Sequence, residues 1–362
     1  MQGYGGAVFL AFWVDLLYNI LLENKRGGEN MERTKVILFG CGNTGKLIER
    51  YVFEHGGTLI AAVDHNAALV GTMLGHTVVS SDVDDSVIRE ADIAVISTGG
   101  GLASVAPIAK RVLRCGTNVI TSSEESIFPY STSPELTREL DRIAKENGCT
   151  MTASGFQDAF WIHSVTAFAS SCSRIDRIKG LIRYNVEEYG ASLAEDHGVG
   201  LNLREFHERF NSGFIPSYLW NVNELIADKL GWGVVKQTQE CIPYVYYDPL
   251  YSIACGKTID KGLCVGMSAI VTTETKFGGI IETECIGKMY VDSDKDLCAW
   301  TFTGEPNLSF EVHSPKTLEH TAATLVNRIP QVINAAPGYQ TIDKLGPAEY
   351  LTFPMFLYKN EK

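Results

Sequence analysis

Apolar and polar positions along this chain fall into two successive rhythms. Between residues 35 and 153, short β-rich runs at 35–39, 59–63, 93–98, 118–121 and 150–153 alternate with stretches at 46–54, 105–114 and 134–147. In those stretches apolar residues return every three or four positions, as on one face of a helix. Aliphatic runs alternating with amphipathic helices are the pattern of βαβ units, in which helices cover both faces of a parallel sheet. The pattern predicts a doubly wound first domain closing near Gly155. Beyond it, residues 156–169 read as a helix packed on that domain, 175–185 as a strand, and 203–210 and 221–230 as amphipathic helices. Residues 267–275 and 279–289 then alternate as two strands across the turn Lys276-Phe277-Gly278-Gly279, with 297–303 and 308–313 as another hairpin. Strands bunched after helices predict an α+β domain on a largely antiparallel sheet. A last helix at 318–334 ends at Ala335-Ala336-Pro337-Gly338.

The first thirty residues stand outside this rhythm. Ala7 to Leu22 are apolar, but no Lys or Arg precedes them, Asp15 interrupts them, and the run is short for a bilayer span. Reverse-translated, the Gly27-Gly28-Glu29 run before Met31 accommodates a purine-rich ribosome-binding sequence. Residues 1–30 are therefore expected to be a translated leader or disordered extension, with Met31 the natural start. The expected organisation is 31–155 as the first domain, 156–316 as an α+β substrate and oligomerisation domain, and 317–362 as a helix and tail packing back on the first.

The most informative motif follows the first β run. Gly40-Cys41-Gly42-Asn43-Thr44-Gly45 stands between the strand at 35–39 and the helix at 46–54, which is G-x-G-x-x-G in its strand-turn-helix setting. The first glycine allows a tight turn, the second lets a pyrophosphate approach the backbone, the third lets helix and strand pack, and the helix N-terminus presents amides to the phosphates. The second strand ends in Asp64, where the fingerprint wants an acid for the ribose hydroxyls, and only His65-Asn66-Ala67-Ala68 follow. With no nearby cation for a 2′-phosphate, the sequence favours NAD, with NADP still open. Thr98 ends the strand at 93–98 and Gly99 and Gly100 follow it, where the nicotinamide side of a Rossmann site falls. Ser122-Ser123-Glu124-Glu125 follow the strand at 118–121, again at the strand end where open α/β sheets place their chemistry.

Composition narrows the ligand. With 43 Asp+Glu against 31 Lys+Arg and a net charge of −12, the surface is unsuited to nucleic acid or an anionic membrane. The ligand expected is small. Nine cysteines are scattered without a C-x-x-C pair, the usage of a reducing cytoplasm rather than of a disulfide scaffold or zinc site, and no metal is expected.

Three further stretches resemble the 2,4-diaminopentanoate dehydrogenase and native amine dehydrogenase family, relatives of dihydrodipicolinate reductase. They are Asn118-Val119-Ile120-Thr121-Ser122-Ser123-Glu124-Glu125 with Pro129, Gly198-Val199-Gly200-Leu201-Asn202-Leu203-Arg204-Glu205-Phe206 on to Leu230-Gly231-Trp232, and Ala322-Ala323-Thr324-Leu325-Val326-Asn327-Arg328-Ile329-Pro330 through Pro337-Gly338. The likeness covers roughly residues 34 to 350 and implies a homodimer of amino-acid metabolism that oxidatively deaminates an amine with NAD(P), or runs the reverse. One departure bears on substrate: where the family commonly has Gly-Val-Asn-Pro-Gly-Phe, this chain has Gly155-Phe156-Gln157-Asp158-Ala159-Phe160. A carboxylate at the strand end suits such chemistry, accepting a proton from the substrate ammonium and then activating water against the iminium. Glu124 is the first choice for that base and Glu125 the second. Both also read as a solvated pair opening a helix.

Asp158 is a candidate for a distal substrate ammonium, Trp161 for a pocket wall, and His163 and His197 for substrate contacts; ordinary helix or loop roles remain open for each. The Tyr244-Val245-Tyr246-Tyr247 cluster reads as packing. Two rivals remain beside the amine dehydrogenase: a dihydrodipicolinate reductase-like enzyme of another substrate, although the expected His-His-x-x-Lys stretch is missing, and a non-catalytic NAD(H)-binding redox sensor.

Overall fold

The computed structural model describes residues 33–211 and 217–360, so the expected leader at 1–30 lies outside the described residues. The chain forms two compact units, with the division falling between Phe156 and Gln157 and again between Lys316 and Thr317.

In the first unit β1 (Thr34–Phe39), β2 (Gly57–Val63), β3 (Met73–Leu74), β4 (Thr77–Ser80), β5 (Ile93–Ile96), β6 (Asn118–Thr121) and β7 (Thr150–Ala153) join the late strand Gly338–Tyr339 in one sheet. Its order is Gly338–Tyr339, β7, β6, β5, β1, β2, β4, β3, parallel except for the β3–β4 pair. The central strands are buried throughout, Ile93–Ile96, Asn118–Thr121 and Thr150–Ala153 on every residue, because helices cover both faces. Helices α1 (Asn43–Glu54), α2 (Asp85–Glu90), α3 (Leu102–Arg114) and α4 (Pro134–Glu146) supply the crossovers. One core packs Val105, Ala109 and Val112 of α3 and Leu140 and Ile143 of α4 on Ile37, Ala94 and Val119. The other packs Ile48 and Val52 of α1, with Leu325, Val326 and Ile329 of the closing helix Thr317–Asn334, on Val36, Leu38 and Val95.

Register decides where chemistry can sit. Phe39 pairs with Val63 and Ile96, Ile96 with Thr121, and Thr121 with Ala153. The carboxyl ends of five strands are therefore level, and their loops leave one edge together. The chain runs from β1 to β2 on one side and later resumes at β5 on the other, so β1 and β5 flank the topological switch where such sheets bind ligands.

The second unit is a six-stranded sheet. It contains β8 (Arg174–Asn185), β9 (Val234–Val245), β12 (Cys264–Thr275), β13 (Ile280–Lys288), β14 (Leu297–Glu305) and β15 (Leu308–His313), with β10 (Leu250–Ser252) and β11 (Lys257–Ile259) a separate hairpin. The order is β15-β14-β8-β13-β12-β9, antiparallel except between β13 and β8. Helices α5 (Ser164–Ala169), α6 (Ala191–Asp196), α7 (Leu203–Asn211) and α8 (Leu219–Lys229) accompany it. Buried Asn223 of α8 is bonded to the Val271 carbonyl and to the Thr273 and Thr283 hydroxyls, which fixes the helix on one face of the sheet.

The helix expected over 156–169 forms, but it is widened in its middle: residues 156–157 and Ser164–Ala169 are α-helical, Asp158–His163 between them is π-helical, and from Gln157 the segment belongs to the second unit. The wider turn carries its own signature, since Ser164 Oγ donates to the carbonyl of Ala159, five residues back, at 2.7 Å.

Candidate active site

The glycine loop begins with a conformational demand. Gly40 has φ +96°, and a Cβ there would stand 2.2 Å from the Ser97 carbonyl oxygen, so no side chain fits between β1 and β5. Gly45, in the first turn of α1, approaches the loop just as closely, its ideal Cβ 2.2 Å from the Gly40 carbonyl oxygen. Gly42 differs, with nothing within 4 Å of its Cβ position. It is also the N-cap of α1, with no side-chain cap and no acid in the first turn, so the helix presents free amides and positive dipole to open space. Asn43 and Thr44 open that helix and are at least partly exposed. An uncapped helix start beside open space is suited to an anion.

Asp64 sits directly after β2 and is turned toward the loop. Its Oδ2 accepts the Cys41 amide at 2.7 Å and its Oδ1 the Asn66 amide at 2.8 Å, which leaves acceptor capacity beside the cradle. The Cys41 thiol is buried and donates to the Val63 carbonyl at 3.6 Å. Burial, reinforced by the Asp64 carboxylate, raises its pKa to about 11, so it serves as packing rather than as a nucleophile. Across β1, exposed Thr98 and partly buried Gly99 and Gly100 leave the end of β5. The edge fits a dinucleotide: phosphates at the open helix terminus, a ribose at the acid, and a ring on the β5 side.

The turn after β6 is densely bonded. The Ser122 amide donates to the Ile96 carbonyl at 3.0 Å, Ser123 Oγ to the Gly100 carbonyl at 2.8 Å, and Ser126 Oγ to Ser123 Oγ at 2.6 Å. Tyr339 Oη donates to the Ser126 carbonyl at 2.7 Å. Glu125 is bonded through both oxygens: Oε2 accepts the Leu102 amide at 2.6 Å, and Oε1 accepts the hydroxyls of Thr132 at 2.8 Å and Ser133 at 2.6 Å. Among the described residues, nothing donates to the carboxyl of Glu124. Glu124 is half-buried by surface, and the protein mass packed round its carboxyl desolvates it, raising its pKa from 4.5 to about 7. The two adjacent glutamates, alike in sequence, are thus opposite in state.

The remaining named residues lie in the second unit. The π-helical turn brings Asp158 and His163 together, with Oδ1 3.2 Å from Nε2 and both side chains buried. Five residues apart, they would diverge round an α-helix; the wider turn puts them on one side. Trp161, from the same turn, is 7% exposed. His197 belongs to a different cluster. Its Nδ1 faces the Leu193 carbonyl at 2.8 Å and its Nε2 the Tyr184 hydroxyl at 2.7 Å, and a Cβ on Gly287 would collide with its ring. Burial lowers its pKa, and these partners suit a neutral ring with the proton on Nδ1, so both nitrogens are occupied internally. The Ser123, Ser126, Thr132, Ser133 and Tyr339 contacts were absent from the sequence reading; the polar run 122–126 hinted at the serines, but nothing in the sequence announced Tyr339 from the far end of the chain.

An open doubly wound sheet with a glycine-rich turn at its switch point, an acid after the second strand and a desolvated carboxyl after β6 is the build of a dinucleotide-dependent oxidoreductase. Residues 162–352, more than half of the chain, match the model of the 2,4-diaminopentanoate dehydrogenase C-terminal domain. The amine dehydrogenase of Mycobacterium smegmatis has a solved structure that superposes with a TM-score of 0.83 at 31% identity, covering 88% of this chain and 98% of that one. The chain belongs to the 2,4-diaminopentanoate dehydrogenase family, and it is an NAD(P)-dependent oxidoreductase of the class acting on CH–NH2 groups. The 2,4-diaminopentanoate dehydrogenase of Acetoanaerobium sticklandii is 25% identical over 86% of this chain and 93% of its own length. GenD2 from gentamicin A biosynthesis, solved with NAD, shares the fold at a TM-score of 0.56 and 16% identity, covering 87% of this chain and 90% of that one. Among the described residues no helix is long and apolar enough to cross a membrane.

Proposed function

We propose that this protein is an NAD-preferring amine dehydrogenase that oxidatively deaminates a 2,4-diaminopentanoate-like diamino acid, or forms it by reductive amination, and that Glu124 is its base. The observation carrying the reading is the unbonded, desolvated carboxyl of Glu124 in a turn where every other polar side chain from Ser122 to Ser126 has a partner. Gly40, Cys41, Gly42, Asn43, Thr44 and Gly45 would cradle the diphosphate, Asp64 would take the ribose hydroxyls, and Thr98, Gly99 and Gly100 would border the nicotinamide. Bound nicotinamide supplies the hydride acceptor. Glu124, ionised above about pH 7, accepts the proton that frees the substrate amine for hydride loss. Once that proton has passed to solvent, the carboxylate takes a proton from the water that adds to the iminium carbon and returns it to the nitrogen of the carbinolamine, which departs with the hydroxyl proton as ammonium while the carbonyl forms. Asp158, buried and facing His163, supports a reading in which the acid meets a second ammonium, with Trp161 walling the pocket. The internal bonds of His197 favour a packing role over the substrate contact expected for it.

The sheet face turned away from α8 carries Leu181, Ile242, Ile270 and Leu297, none of them fully buried, which supports a homodimer through that face. Nine cysteines, all free, support residence in the reducing cytoplasm. The decisive test is the initial rate of NAD reduction against 2,4-diaminopentanoate, ornithine, lysine, simple alkylamines and homoserine, repeated with Glu124→Gln. A rate confined to the diamino acid and lost in the variant is the expected result. Silence with every amine, while NADH still binds, overturns it.

A further inference from the structure

The second glutamate of the pair has its own assignment. Helix α3 begins at Leu102 after Gly101, a residue with no side chain to cap it. The cap comes instead from Glu125 Oε2, 2.6 Å from the Leu102 amide and 23 positions along the chain. A carboxylate at a helix N-terminus is favoured by both the free amide and the dipole. The other oxygen takes the hydroxyls of Thr132 and Ser133, and the backbone amide of Glu125 donates to the Gly100 carbonyl at 3.1 Å. Gly100 receives Ser123 Oγ as well. Glu125 therefore ties together the glycine loop after β5, the turn that carries Glu124 and the segment at 132–133.

We propose that Glu125 is the positioning residue of this active site, a clamp that holds the Gly99–Gly101 loop and the Glu124 carboxyl in one fixed relation without itself exchanging protons. This rests on the reading of Glu124 as base. A carboxylate has about four acceptor positions, and the Glu125 carboxylate has three filled by donors of this chain, so only one is left for any other proton, and neutralising the group there would weaken the charge that caps α3. The same rigidity has a use. The loop that borders the ring side of the cradle and the base that must reach the substrate leave neighbouring strands, β5 and β6, and a misplacement of about 1 Å between reacting groups costs on the order of a hundredfold in rate.

Two variants of the full chain separate the clamp from a base. In Glu125→Gln the amide oxygen still accepts from Leu102, and the NH2 group donates to a Ser133 or Thr132 hydroxyl. In Glu125→Ala all three bonds go. Two readouts are needed: NADH affinity by fluorescence titration, which requires no amine, and the pH profile of amine-dependent NAD reduction. The glutamine variant is expected to keep NADH affinity within about threefold and most of kcat, with the acid limb unmoved, as the cap is kept and the two hydroxyl contacts reverse direction rather than disappear. The alanine variant is expected to weaken NADH by roughly tenfold, the order of one lost charge-assisted hydrogen bond. It should also lower kcat and move the acid limb from near 7 toward ordinary carboxylate values as the Glu124 turn loosens. A structural defect alone would reduce the active fraction and leave that limb in place.

Turnover abolished in Glu125→Gln with NADH binding intact would make Glu125 a proton acceptor and overturn the proposal. So would an alanine variant with unchanged NADH affinity and an unchanged limb. Should the wild type turn over no amine, the enzyme reading fails separately, and the NADH titration still decides whether the clamp holds the loop.

Discussion

In the turn after β6, the Glu124 carboxyl meets no hydrogen-bond donor among the described residues, while at the end of β13 in the second unit Lys288 is enclosed by partners. Lys288 Nζ lies 2.6 Å from Tyr246 Oη and 2.9 Å from Asp294 Oδ2, with the rings of Tyr244 and Tyr246 5.3 and 5.2 Å away. Burial works against its charge, but the bonds to Tyr246 and Asp294 prevail and hold its pKa above the ordinary value. The fold desolvates an ionisable group in both places and supplies the compensating partner in only one. A buried charge without a partner is costly, so where it persists the cost is tolerated for a task. A buried charge fully partnered, like Lys288, holds structure, as does the neutral, doubly bonded ring of His197. The contrast between Glu124 and Glu125 repeats the lesson over one peptide bond.

The contrast can be broken most forcefully at Glu124. Glu124→Gln is expected to lower amine-dependent kcat by about 10²–10⁴, the usual contribution of a positioned general base, with the folded structure retained by circular dichroism. A rate within threefold of wild type would dismiss the base. Next in size is the opposite kind of site. Lys288→Ala leaves Asp294 without its cation and should cost about 3 kcal/mol in urea unfolding, tempered by the remaining exposure of the pair. Little change in stability would show the cluster to be ornamental. Gly45→Ala and Gly42→Ala sharpen the comparison within the cradle. The first forces a methyl against the Gly40 carbonyl and should destabilise by about 1–3 kcal/mol. The second meets nothing in the protein, so it should leave the unfolding midpoint nearly unchanged yet weaken NADH by roughly tenfold, about 1.4 kcal/mol.

The smallest expected effect is a pH dependence with a definite sign. Because the folded-state pKa of Glu124 is raised from 4.5 to about 7, the folded protein holds a proton there that the unfolded chain releases earlier. Its contribution is complete below about 4.5 and is lost as the pH rises through about 7. Glu124→Gln should therefore raise Tm relative to wild type more at pH 8 than at pH 5, and an equal shift at both would contradict the desolvated carboxyl. The catalytic acid limb should fall near the same value in the wild type.

Much of the first unit was legible because its information is local. The apolar run Val36–Phe39, three glycines at fixed spacing and an acid after the next strand each state a backbone requirement that holds wherever the chain folds. The second unit was harder. The strand Val234–Val245 went unread because it lies on a sheet edge, where Lys236, Gln237, Thr238, Gln239 and Glu240 do not alternate in polarity. The π-helical turn at Asp158–His163 also escaped, since no periodicity distinguishes a widened turn from the α-helix that continues it.

By itself the sequence determined the βαβ order, the dinucleotide cradle, the family and the pair of glutamates at a strand end, all properties of short segments and their spacing. Only the tertiary structure decided which glutamate is free. That choice depends on Leu102, Thr132 and Ser133 reaching Oε1 and Oε2 of Glu125 across the fold, and on packing that desolvates Glu124 without offering it a donor. Partners and packing brought from distant positions set the surroundings of a side chain, and no local pattern carries them.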